Sequence, residues 1–525
     1  MLDETINKSK EDLISEIEKR VEDKIIEKSN ADLLIKLINN SDSLSEAISI
    51  AQLGTTYKRT GFHFDKRLEK MDNTIKYFKK NNDLSFINDA SKLTHKLIIG
   101  DNYDALLNLL VEYRNKIDVI YIDPPYGKDS MGEFAETNYN NAITRDNLLS
   151  MLYPRLKIAK QLLTNNGFII CSIDDKNYAY VKCLFDEIFG EMHFINTFVW
   201  KKNSSGKTEK DKYTINTEYL LLYAKTATYE LASVFKPLAE ATKALYKYDD
   251  GDGRGKYRLY PLQKPSSPGP ETTYDYIDNN GKVWPCPPKG WRMKQSKLKA
   301  LENDGRLYLE NCALSQKAYW DERESDGKRI DTLWDDLSEN STGTKELEKI
   351  VGKNKFNNPK PVDLIKRCIN IGNNDAIVLD FFAGSGTTGQ AVMDLNNEDD
   401  GKRQFILCTN NEITDINPNG IAYDVTTKRL KRIMSGKCYD GNNEFDWIKN
   451  NEPFGDNLDV YEIAKVANFE SAENKTPFDV IDETLYGLDK FNSIKDKIEW
   501  VCNNFEHTQK NIESDSAWKE RLESE

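Results

Sequence analysis

Long hydrophobic runs are missing from this sequence, and so are the marks of an exported or disulfide-bonded protein. No apolar stretch approaches the ~18 residues that a membrane span needs. The first residues are charged and helix-periodic, without the basic region and apolar core of a secretory signal. The 8 cysteines include no C-x-x-C pair and the 4 histidines are scattered, which disfavours a disulfide scaffold and a zinc site. We expect a cytoplasmic protein with no metal and no membrane partner.

Basic charge is also scarce overall, which at first disfavours a nucleic-acid partner. The formal net charge is −13, whereas contacts to phosphate groups require lysine and arginine. The charge is unevenly distributed, however. Residues 201–300 contain 19 Lys and Arg against 11 Asp and Glu, and residues 411–525 contain 14 against 24. An acidic C-terminal region therefore masks a basic middle, and net charge alone does not decide the partner.

The order of apolar and polar segments predicts an α/β protein with several parts. From residue 95, short apolar strands alternate with helical segments of ~10–15 residues, which is typical of βαβ units and a parallel sheet. The alternation stops between residues 226 and 340, where prolines and glycines cluster, and then resumes. We predict an N-terminal helical extension (1–60), two halves of one α/β domain (95–225 and 341–435), an insertion (226–340) and an acidic helical C-terminal region (436–525).

Acidic residues follow three of the predicted strands. Asp101, Asp123 and Asp174 each come directly after a short apolar run. In open parallel sheets, ligands bind beyond the carboxyl ends of the strands. The sequence therefore predicts that the functional site lies at this edge of the sheet.

A glycine-rich turn follows the strand predicted at residues 376–379. It runs from Asp380 to Thr388 with the sequence DFFAGSGTT, and such a turn exposes backbone N–H groups at a helix N-terminus to a ligand. It is not a P-loop, because Gln390 stands where that motif needs lysine. The stretch GSGTTG from Gly384 does match the dinucleotide pattern G-x-G-x-x-G. Glu412 would then hold ribose hydroxyls, in a dinucleotide or in another nucleoside ligand.

The stretch Asp123-Pro124-Pro125-Tyr126 carries the clearest chemical signal. Two successive prolines fix the backbone and remove two N–H donors, so that a rigid turn follows the strand. The turn presents one carboxylate, the carbonyl of Pro124 and one aromatic ring. Two acceptors and a ring suit a flat base with an exocyclic amine, because the acceptors take its two N–H groups and the ring stacks on its face.

This stretch, together with Phe382-Ala-Gly384-Ser-Gly386, resembles the joint signature of the amino-methyltransferases of DNA. The catalytic stretch precedes the glycine turn by about 260 residues, an order similar to the permuted β group of these enzymes. Other segments are similar to the modification (Mod) subunits of type III restriction-modification systems. These segments are Gly100-Asp101-Asn102, Thr217-Glu218-Tyr219-Leu220, Leu333-Trp334-Asp335-Asp336, Gly343-Thr344-Lys345-Glu346-Leu347 and Asn358-Pro359-Lys360-Pro361. The chain departs from the usual pattern at Gly127-Lys128, where Asn-Thr-Gly is common.

The resemblance implies a Rossmann-like class I methyltransferase fold, circularly permuted. Its sheet would be mostly parallel and seven-stranded, with an inserted target-recognition domain and helical terminal extensions. The implied activity is transfer of a methyl group from S-adenosylmethionine to adenine N6 in a specific DNA sequence. The implied partners are double-stranded DNA, a second copy of the chain and a restriction (Res) subunit.

The resemblance also implies a role for each matching residue. Asp123 and the Pro124 carbonyl would hold and polarise the target amine, on the rigid turn that Pro125 completes, and Tyr126 would stack on the flipped base. Within the cofactor site, Glu412 would hold the ribose of S-adenosylmethionine. The cofactor-binding residues implied are Asp101 (adenine edge), Lys360 (methionine end), Glu412, and Asp380, Phe381, Phe382, Gly384, Gly386 and Thr387 of the glycine turn.

Residues 226–340, called the middle region below, are the predicted reader of the DNA sequence. Basic and aromatic side chains interleave there, as suits phosphate and groove contacts. We expect Trp284, Trp291 and Trp320 to belong to the core of this region. The interleaved residues are Arg254, Lys256, Tyr257, Arg258, Tyr260 and Lys264, with Lys289, Arg292 and Lys294 around Trp291.

Three other functions stay open at this stage. A cytosine-N4 methyltransferase would use the same geometry, although its stretch usually begins with serine where this chain has Asp123. A sequence-reading subunit that guides a restriction nuclease is compatible with methylation. An NAD-dependent oxidoreductase would explain the glycine turn and leave Asp-Pro-Pro-Tyr unexplained.

Overall fold

The structure is a computed structural model of the chain. It describes residues 10–22, 28–52, 74–126, 144–205, 213–232, 234–236, 240–264, 269–309, 314–326, 328–441, 443–467 and 476–505. Gly127 and Lys128, where the chain departs from the usual methyltransferase pattern, lie outside these ranges. The chain divides into two compact units, Met1–Asp65 and Lys66–Glu525.

The first unit is helical in its described part. It contains α1 (Lys10–Glu22), α2 (Lys28–Asn39) and α3 (Leu44–Gln52). The helices pack through a small apolar cluster that includes Ile17 and Ile38, both fully buried. The spacing of apolar residues along α1 predicts this packing, because positions three and four apart share one face of a helix.

The second unit contains all the described strands. Those of the main sheet are β1 (Thr74–Lys80), β2 (Thr94–Ile99), β3 (Ile117–Ile122), β4 (Leu163–Ile173), β5 (Phe194–Lys201), β6 (Thr217–Ala224), β14 (Leu333–Trp334), β15 (Ile377–Asp380), β16 (Gln404–Thr409) and β17 (Asn457–Ala467). The others are β7 (Phe235–Lys236), β8 (Tyr257–Pro261), β9 (Tyr276–Ile277), β10 (Val283–Trp284), β11 (Leu307–Tyr308), β12 (Ser315–Tyr319) and β13 (Lys328–Arg329).

Helices of the second unit connect and cover these strands. They are α4 (Asn102–Tyr113), α5 (Thr144–Leu162), α6 (Tyr178–Phe189), α7 (Glu240–Lys243), α8 (Gln295–Asn303), α9 (Trp320–Asp326), α10 (Asn340–Val351), α11 (Val362–Ile369), α12 (Thr387–Asp399), α13 (Lys428–Ser435), α14 (Pro477–Val480) and α15 (Ile494–Phe505). A π-helix, Ala422–Thr427, leads into α13.

The main sheet confirms the α/β fold and is larger than predicted. Its strand order is β1-β17-β2-β16-β15-β3-β4-β6-β5-β14. The strands from β17 to β4 run parallel, whereas β6 is antiparallel to both β4 and β5. The seven neighbouring strands β2-β16-β15-β3-β4-β6-β5 match the expected sheet. Strands β17 and β1 extend it at one edge, and β14 extends it at the other. The added strands cover backbone groups that an exposed edge would leave unpaired.

The C-terminal region differs from the prediction of an acidic helical segment. The 11-residue strand β17 pairs in parallel with β2 and antiparallel with β1. Leu458 and Val460 are fully buried, whereas Asp459 between them is partly exposed. Asn457 and Tyr461 are buried as well, so both faces of the first half of this strand are covered, and the high acidic content of the region hid it. The helical prediction was therefore wrong for β17.

The middle region forms small sheets around an aromatic core. Strands β11, β12 and β8 make a three-stranded antiparallel sheet, and β9 pairs with β10. Trp284 and Trp291 are 3% exposed and Trp320 is 7% exposed. The expectation that these three tryptophans belong to the core is confirmed.

None of the helices within the described ranges is long and apolar enough to cross a membrane. Across the same residues, no three His, Cys, Asp or Glu side chains are grouped so as to hold a metal ion.

Candidate active site

The carboxyl ends of the six parallel strands from β17 to β4 lie at one edge of the sheet. Leu379 of β15 pairs with Ile120 of β3, so Asp380 ends its strand close to the end of β3, where Asp123 follows. Asp101 follows β2 and Asp174 follows β4 at the same edge. The fold thus brings the strand-end carboxylates together, as expected of a ligand-binding edge.

Asp123 belongs to a compact cluster of charged groups. The Lys360 ammonium lies 3.0 Å from Asp123 Oδ1 and 2.6 Å from Glu218 Oε1. The Tyr126 hydroxyl is within hydrogen-bond distance of Asp123 and lies 3.1 Å from Glu218 Oε1. Lys360 and Glu218 are 8% and 3% exposed. Two carboxylates share one ammonium group at this point, and Lys202 adds a weaker contact to Glu218 at 3.7 Å.

The turn that carries Asp123 is fixed on both sides. Pro124 is buried and Pro125 partly exposed, and their rings restrict the backbone. The Asn177 side chain donates to the Tyr126 carbonyl at 3.0 Å and to Asp174 Oδ1 at 2.8 Å. Since Asp174 follows β4, this amide fastens the turn after β3 to the end of the neighbouring strand. Asn177 carried no signal in the sequence.

Burial and charge set the protonation of this cluster. Burial raises the pKa of Asp123; the charge of Lys360 opposes this rise, and the charge of Glu218 adds to it. Burial alone would lower the pKa of Lys360, but the two carboxylates outweigh it and the pKa is raised. Burial and the nearby carboxylates also raise the pKa of Tyr126. At neutral pH the lysine is therefore charged and the tyrosine keeps its proton.

The glycine turn after β15 is shaped by Asp380. One oxygen of this carboxylate accepts from the Phe382 N–H at 2.9 Å, and the other accepts from the Thr388 hydroxyl at 2.5 Å. Gly384 and Gly386 have φ of 47° and 79°, which glycine adopts without strain. Burial raises the pKa of Asp380 to about 7 against these hydrogen bonds. Asp380 thus acts within the turn, whose backbone leads into α12.

The predicted residues of the glycine turn divide into buried and accessible ones. Phe381 is 1% exposed, and Thr387 is buried with its hydroxyl accepting from Arg429 at 2.8 Å. Phe382 and Gly384 are partly exposed. The accessible part of the turn is therefore the stretch around Phe382 and Gly384, and the contacts of each residue with a cofactor stay predictions.

Asp101 is tied into the same edge by two residues that the sequence analysis did not assign. Asp101 caps α4 by accepting from the Tyr103 N–H at 2.8 Å, and it pairs with the fully buried Arg155 at 3.1 Å. The Asn102 side chain donates to the Phe381 carbonyl at 2.7 Å, which links the end of β2 to the glycine turn. Asn102 lies in the Gly-Asp-Asn stretch quoted above, whereas nothing marked Arg155.

The side chains of Glu412 and Lys360 differ in their interactions with the rest of the described protein. Glu412 follows β16 and is partly exposed; its main-chain carbonyl accepts from the Ile421 N–H at 2.9 Å, and its carboxylate makes no hydrogen bond or ion pair with the described residues. Lys360, expected at the methionine end of a cofactor, has its ammonium in the Asp123 cluster. Its contact with a cofactor stays a prediction.

A family model described as DNA methylase matches residues 117–418. A second model, described as an uncharacterised conserved protein, matches residues 4–119. Among solved structures, a putative DNA modification methylase from Thermus thermophilus, complexed with S-adenosylmethionine, aligns with a TM-score of 0.30 and 14% identity. That alignment covers 60% of this chain and 87% of the other.

Two curated relatives are more similar in sequence. The type III restriction-modification enzyme StyLTI Mod subunit of Salmonella typhimurium is 34% identical over 382 residues, which cover 66% of this chain and 58% of that protein. The type II methyltransferase M.KpnI of Klebsiella pneumoniae is 32% identical over 398 residues, which cover 67% of this chain and 90% of that protein. The alignment therefore spans little more than half of the Mod subunit and most of M.KpnI.

Proposed function

The chain belongs to the DNA methylase family, and from that premise we propose that it transfers a methyl group from S-adenosylmethionine to the N6 amine of adenine in DNA. The observation that carries this proposal is the fixed position of Asp123. Its carboxylate stands on a double-proline turn at the carboxyl edge of the sheet, beside one ammonium and a second carboxylate. The alternative product, N4-methylcytosine, would need the same geometry, and Asp123 in place of serine favours adenine.

The described residues fit S-adenosylmethionine as the methyl donor. The glycine turn is accessible around Phe382 and Gly384, and a Cβ at Gly384 would come within 3.0 Å of the Phe356 ring. The carboxylate of Glu412 is unengaged among the described residues and suits ribose hydroxyls. We assign cofactor binding to Asp101, Phe382, Gly384, Gly386 and Glu412. The cofactor would supply a methyl group already activated on a positively charged sulfur.

The residues of the Asp123 cluster then prepare the amine. The amine lone pair is delocalised into the adenine ring, which makes it a poor nucleophile. Asp123 and the Pro124 carbonyl accept its two N–H groups, which favours a pyramidal nitrogen with a localised lone pair. Positive charge develops on that nitrogen during attack, and the Asp123 carboxylate, held in place beside it, stabilises that charge.

Lys360 and Glu218 act as positioning residues in this scheme. Asp123 must be ionised to stabilise the charge that develops on the amine, and burial alone favours its neutral form. The Lys360 ammonium, 3.0 Å away, opposes that effect. Glu218 holds Lys360 in place at 2.6 Å and balances part of its charge.

The division of labour along the chain is part of the proposal. Residues 95–225 and 341–435 form the two halves of the methyltransferase domain, and the middle region recognises the target sequence. Residues 1–60 form an extension, and the region from 436 contributes β17 to the central sheet. We further propose that the chain is the modification subunit of a restriction-modification system, working with a second copy and a Res subunit. Copurification with a helicase-nuclease would support this, whereas a stable, fully active chain without one would favour a solitary enzyme.

The activity is tested with Asp123→Asn and Asp123→Ala. Wild-type protein, incubated with DNA and labelled S-adenosylmethionine, should give N6-methyladenine on digestion to nucleosides and mass spectrometry. Both variants should lose methyl transfer, while calorimetry shows cofactor binding unchanged and melting curves show an intact fold. N4-methylcytosine as the product would refute the adenine assignment, and full activity of the variants would refute the role of Asp123.

A further inference from the structure

A pocket of about 400 Å³ lies beside strand β8 in the middle region. Its lining residues are Leu245, Lys247, Tyr248, Arg258, Leu259 and Tyr260. The segment before β8 is bound to the strand by two backbone hydrogen bonds, Tyr248 N–H to the Tyr257 carbonyl (3.1 Å) and Tyr257 N–H to the Tyr248 carbonyl (2.8 Å). The segment before β8 and the strand itself form two walls of the pocket. Because these walls are hydrogen-bonded to each other through backbone groups, the fold of this small sheet fixes the shape of the pocket. Its volume falls within the ~300–1,000 Å³ of ligand sites.

Arg258 is held rigidly in this pocket by aromatic rings. Its guanidinium carbon lies 3.9 Å from the centre of the Tyr260 ring and 5.3 Å from that of Tyr246. Tyr246 is 3% exposed and packs edge-on against Trp320, with 5.1 Å between ring centres. Stacking of this kind preorganises the planar fork of arginine, so that less freedom is lost when it binds a partner.

The polar groups around this arginine point to a missing partner. Arg258 Nε and the Tyr246 hydroxyl are buried, and neither has a hydrogen-bond partner among the described residues. Buried polar atoms are almost always satisfied in native proteins. A ligand group with acceptor atoms would satisfy the guanidinium.

Two cationic side chains, Arg258 and Lys247, line this pocket. Within the described ranges, neither Arg258 nor the exposed Lys247 forms an ion pair with a carboxylate. Several other cations of the region are paired with carboxylates: Lys294 with Glu271 at 2.8 Å, and Arg306 with Asp304 and Glu322. The pocket thus keeps uncompensated positive charge, which complements DNA.

We propose that this pocket is a DNA-contact site in which Arg258 reads the edge of a guanine and Lys247 binds a neighbouring phosphate. An immobilised arginine fork matches the O6 and N7 acceptors of guanine, the commonest specific contact in the major groove. An exposed lysine on a flexible stem suits a phosphate, which needs charge rather than fixed geometry. Arg258 is then a specificity-determining residue. The inference rests on the proposed function in that it takes DNA as the substrate.

The first test compares the sites that are methylated. Wild-type protein is used to modify plasmid DNA, and sequencing of the modified bases gives the recognition sequence. Arg258→Gln and Arg258→Lys should both relax one guanine position, because lysine keeps the charge but lacks the fork. Loss of one good base contact should lower discrimination there by ~5–150-fold. Melting curves check that both variants are folded.

The second test separates base reading from phosphate binding and does not depend on methylation. DNA affinity is measured against salt concentration by fluorescence anisotropy. Lys247→Ala should weaken binding to all sequences alike and reduce the salt slope by about 1. Lys449→Ala is the control, since it removes the same charge from an exposed lysine that lies outside the middle region and is already paired with Asp446; it should change the slope little.

Two outcomes would overturn the proposal. If folded Arg258 variants keep the wild-type recognition sequence, Arg258 reads no base. If Lys247→Ala binds DNA with the wild-type salt dependence, the pocket is not a DNA contact. Failure of the proposed function would give a different result. In that case the wild-type protein would form no N6-methyladenine, while its binding to DNA could still be measured.

Discussion

Substitution of Lys360 and substitution of Glu218 should shift the pH at which activity is lost on the acid side in opposite directions. The perturbations are Lys360→Met, which removes the ammonium beside Asp123, and Glu218→Gln, which removes the second carboxylate. Asp123 must be ionised to stabilise the charge that develops on the amine, so activity falls as pH drops through its pKa. Lys360 lowers that pKa and Glu218 raises it. Without Lys360 the acid limb of the pH–activity profile should therefore shift to higher pH. Without Glu218 it should shift to lower pH.

The size of the shift follows from the geometry of the pair. Charges 3.0 Å apart interact with about 1.4 kcal/mol in bulk water and about 5.5 kcal/mol at an effective dielectric constant near 20. These energies correspond to about 1 and about 4 pH units. The Asp123 side chain keeps 27% of its surface exposed, which places the expected shift for Lys360→Met near the lower end, at ~1–2 units. Glu218→Gln should give a smaller shift of opposite sign.

The assay is the pH dependence of kcat/KM for DNA, which reports groups of the free enzyme. A structural role for the pair would lower activity equally at every pH and would leave the limb in place. The double variant, Lys360→Met with Glu218→Gln, is the control, because the two opposing effects should partly cancel and leave the limb between those of the Lys360 variant and the wild type. Shifts of the same sign in both single variants would refute the electrostatic reasoning.

Three further predictions concern the cofactor edge. The folded chain binds the Asp380 proton more tightly than the unfolded chain. The free energy of unfolding should therefore fall by on the order of 4 kcal/mol as pH rises from about 4 to about 7. Urea titrations at several pH values should show a weaker pH dependence of this free energy for Asp380→Asn. Gly100→Ala should destabilise the chain by ~1–3 kcal/mol, since φ is 148° and the new Cβ would lie 2.7 Å from Ile463; unchanged denaturation midpoints would contradict this. Glu412→Ala should raise the Kd for S-adenosylmethionine by ~10–100-fold without changing DNA affinity, measured by calorimetry and anisotropy.

The sequence predicted those parts of the site that are formed by neighbouring residues. Strand β3 and its Asp-Pro-Pro-Tyr turn are contiguous, and so are β15 and its glycine turn. The Asp123 cluster is different, because Tyr126 meets Glu218 across 92 residues and Lys360 across 234. Both partners lie in segments that resembled the family, but side-chain contacts over such separations depend on the order of strands in the sheet, which a single sequence does not provide.

The edges of the sheet were missed for a different reason. β17 carries Asp459 and Glu462 among its apolar residues, and these charges remain partly exposed on a strand whose first half is otherwise buried. The acidic composition of the region outweighed the short apolar runs along the strand. β14 is only two residues long, and it is held by the burial of Trp334 and its stacking on Phe198 at 4.4 Å. Tertiary packing, rather than local propensity, decides such an element.

The hydrogen bonds of Tyr126 lead to a last prediction. In the structure its hydroxyl is bound to Asp123, the group that the target amine must reach. Entry of the base then exchanges one donor on the carboxylate for another, and the ring becomes free to stack. Tyr126→Phe keeps the ring and removes the competing donor, so kcat/KM for DNA should stay the same or rise. Tyr126→Ala should lower it by ~5–150-fold, the loss of one stacked base. Equal damage in both variants would instead make the hydroxyl essential and would rule out this exchange.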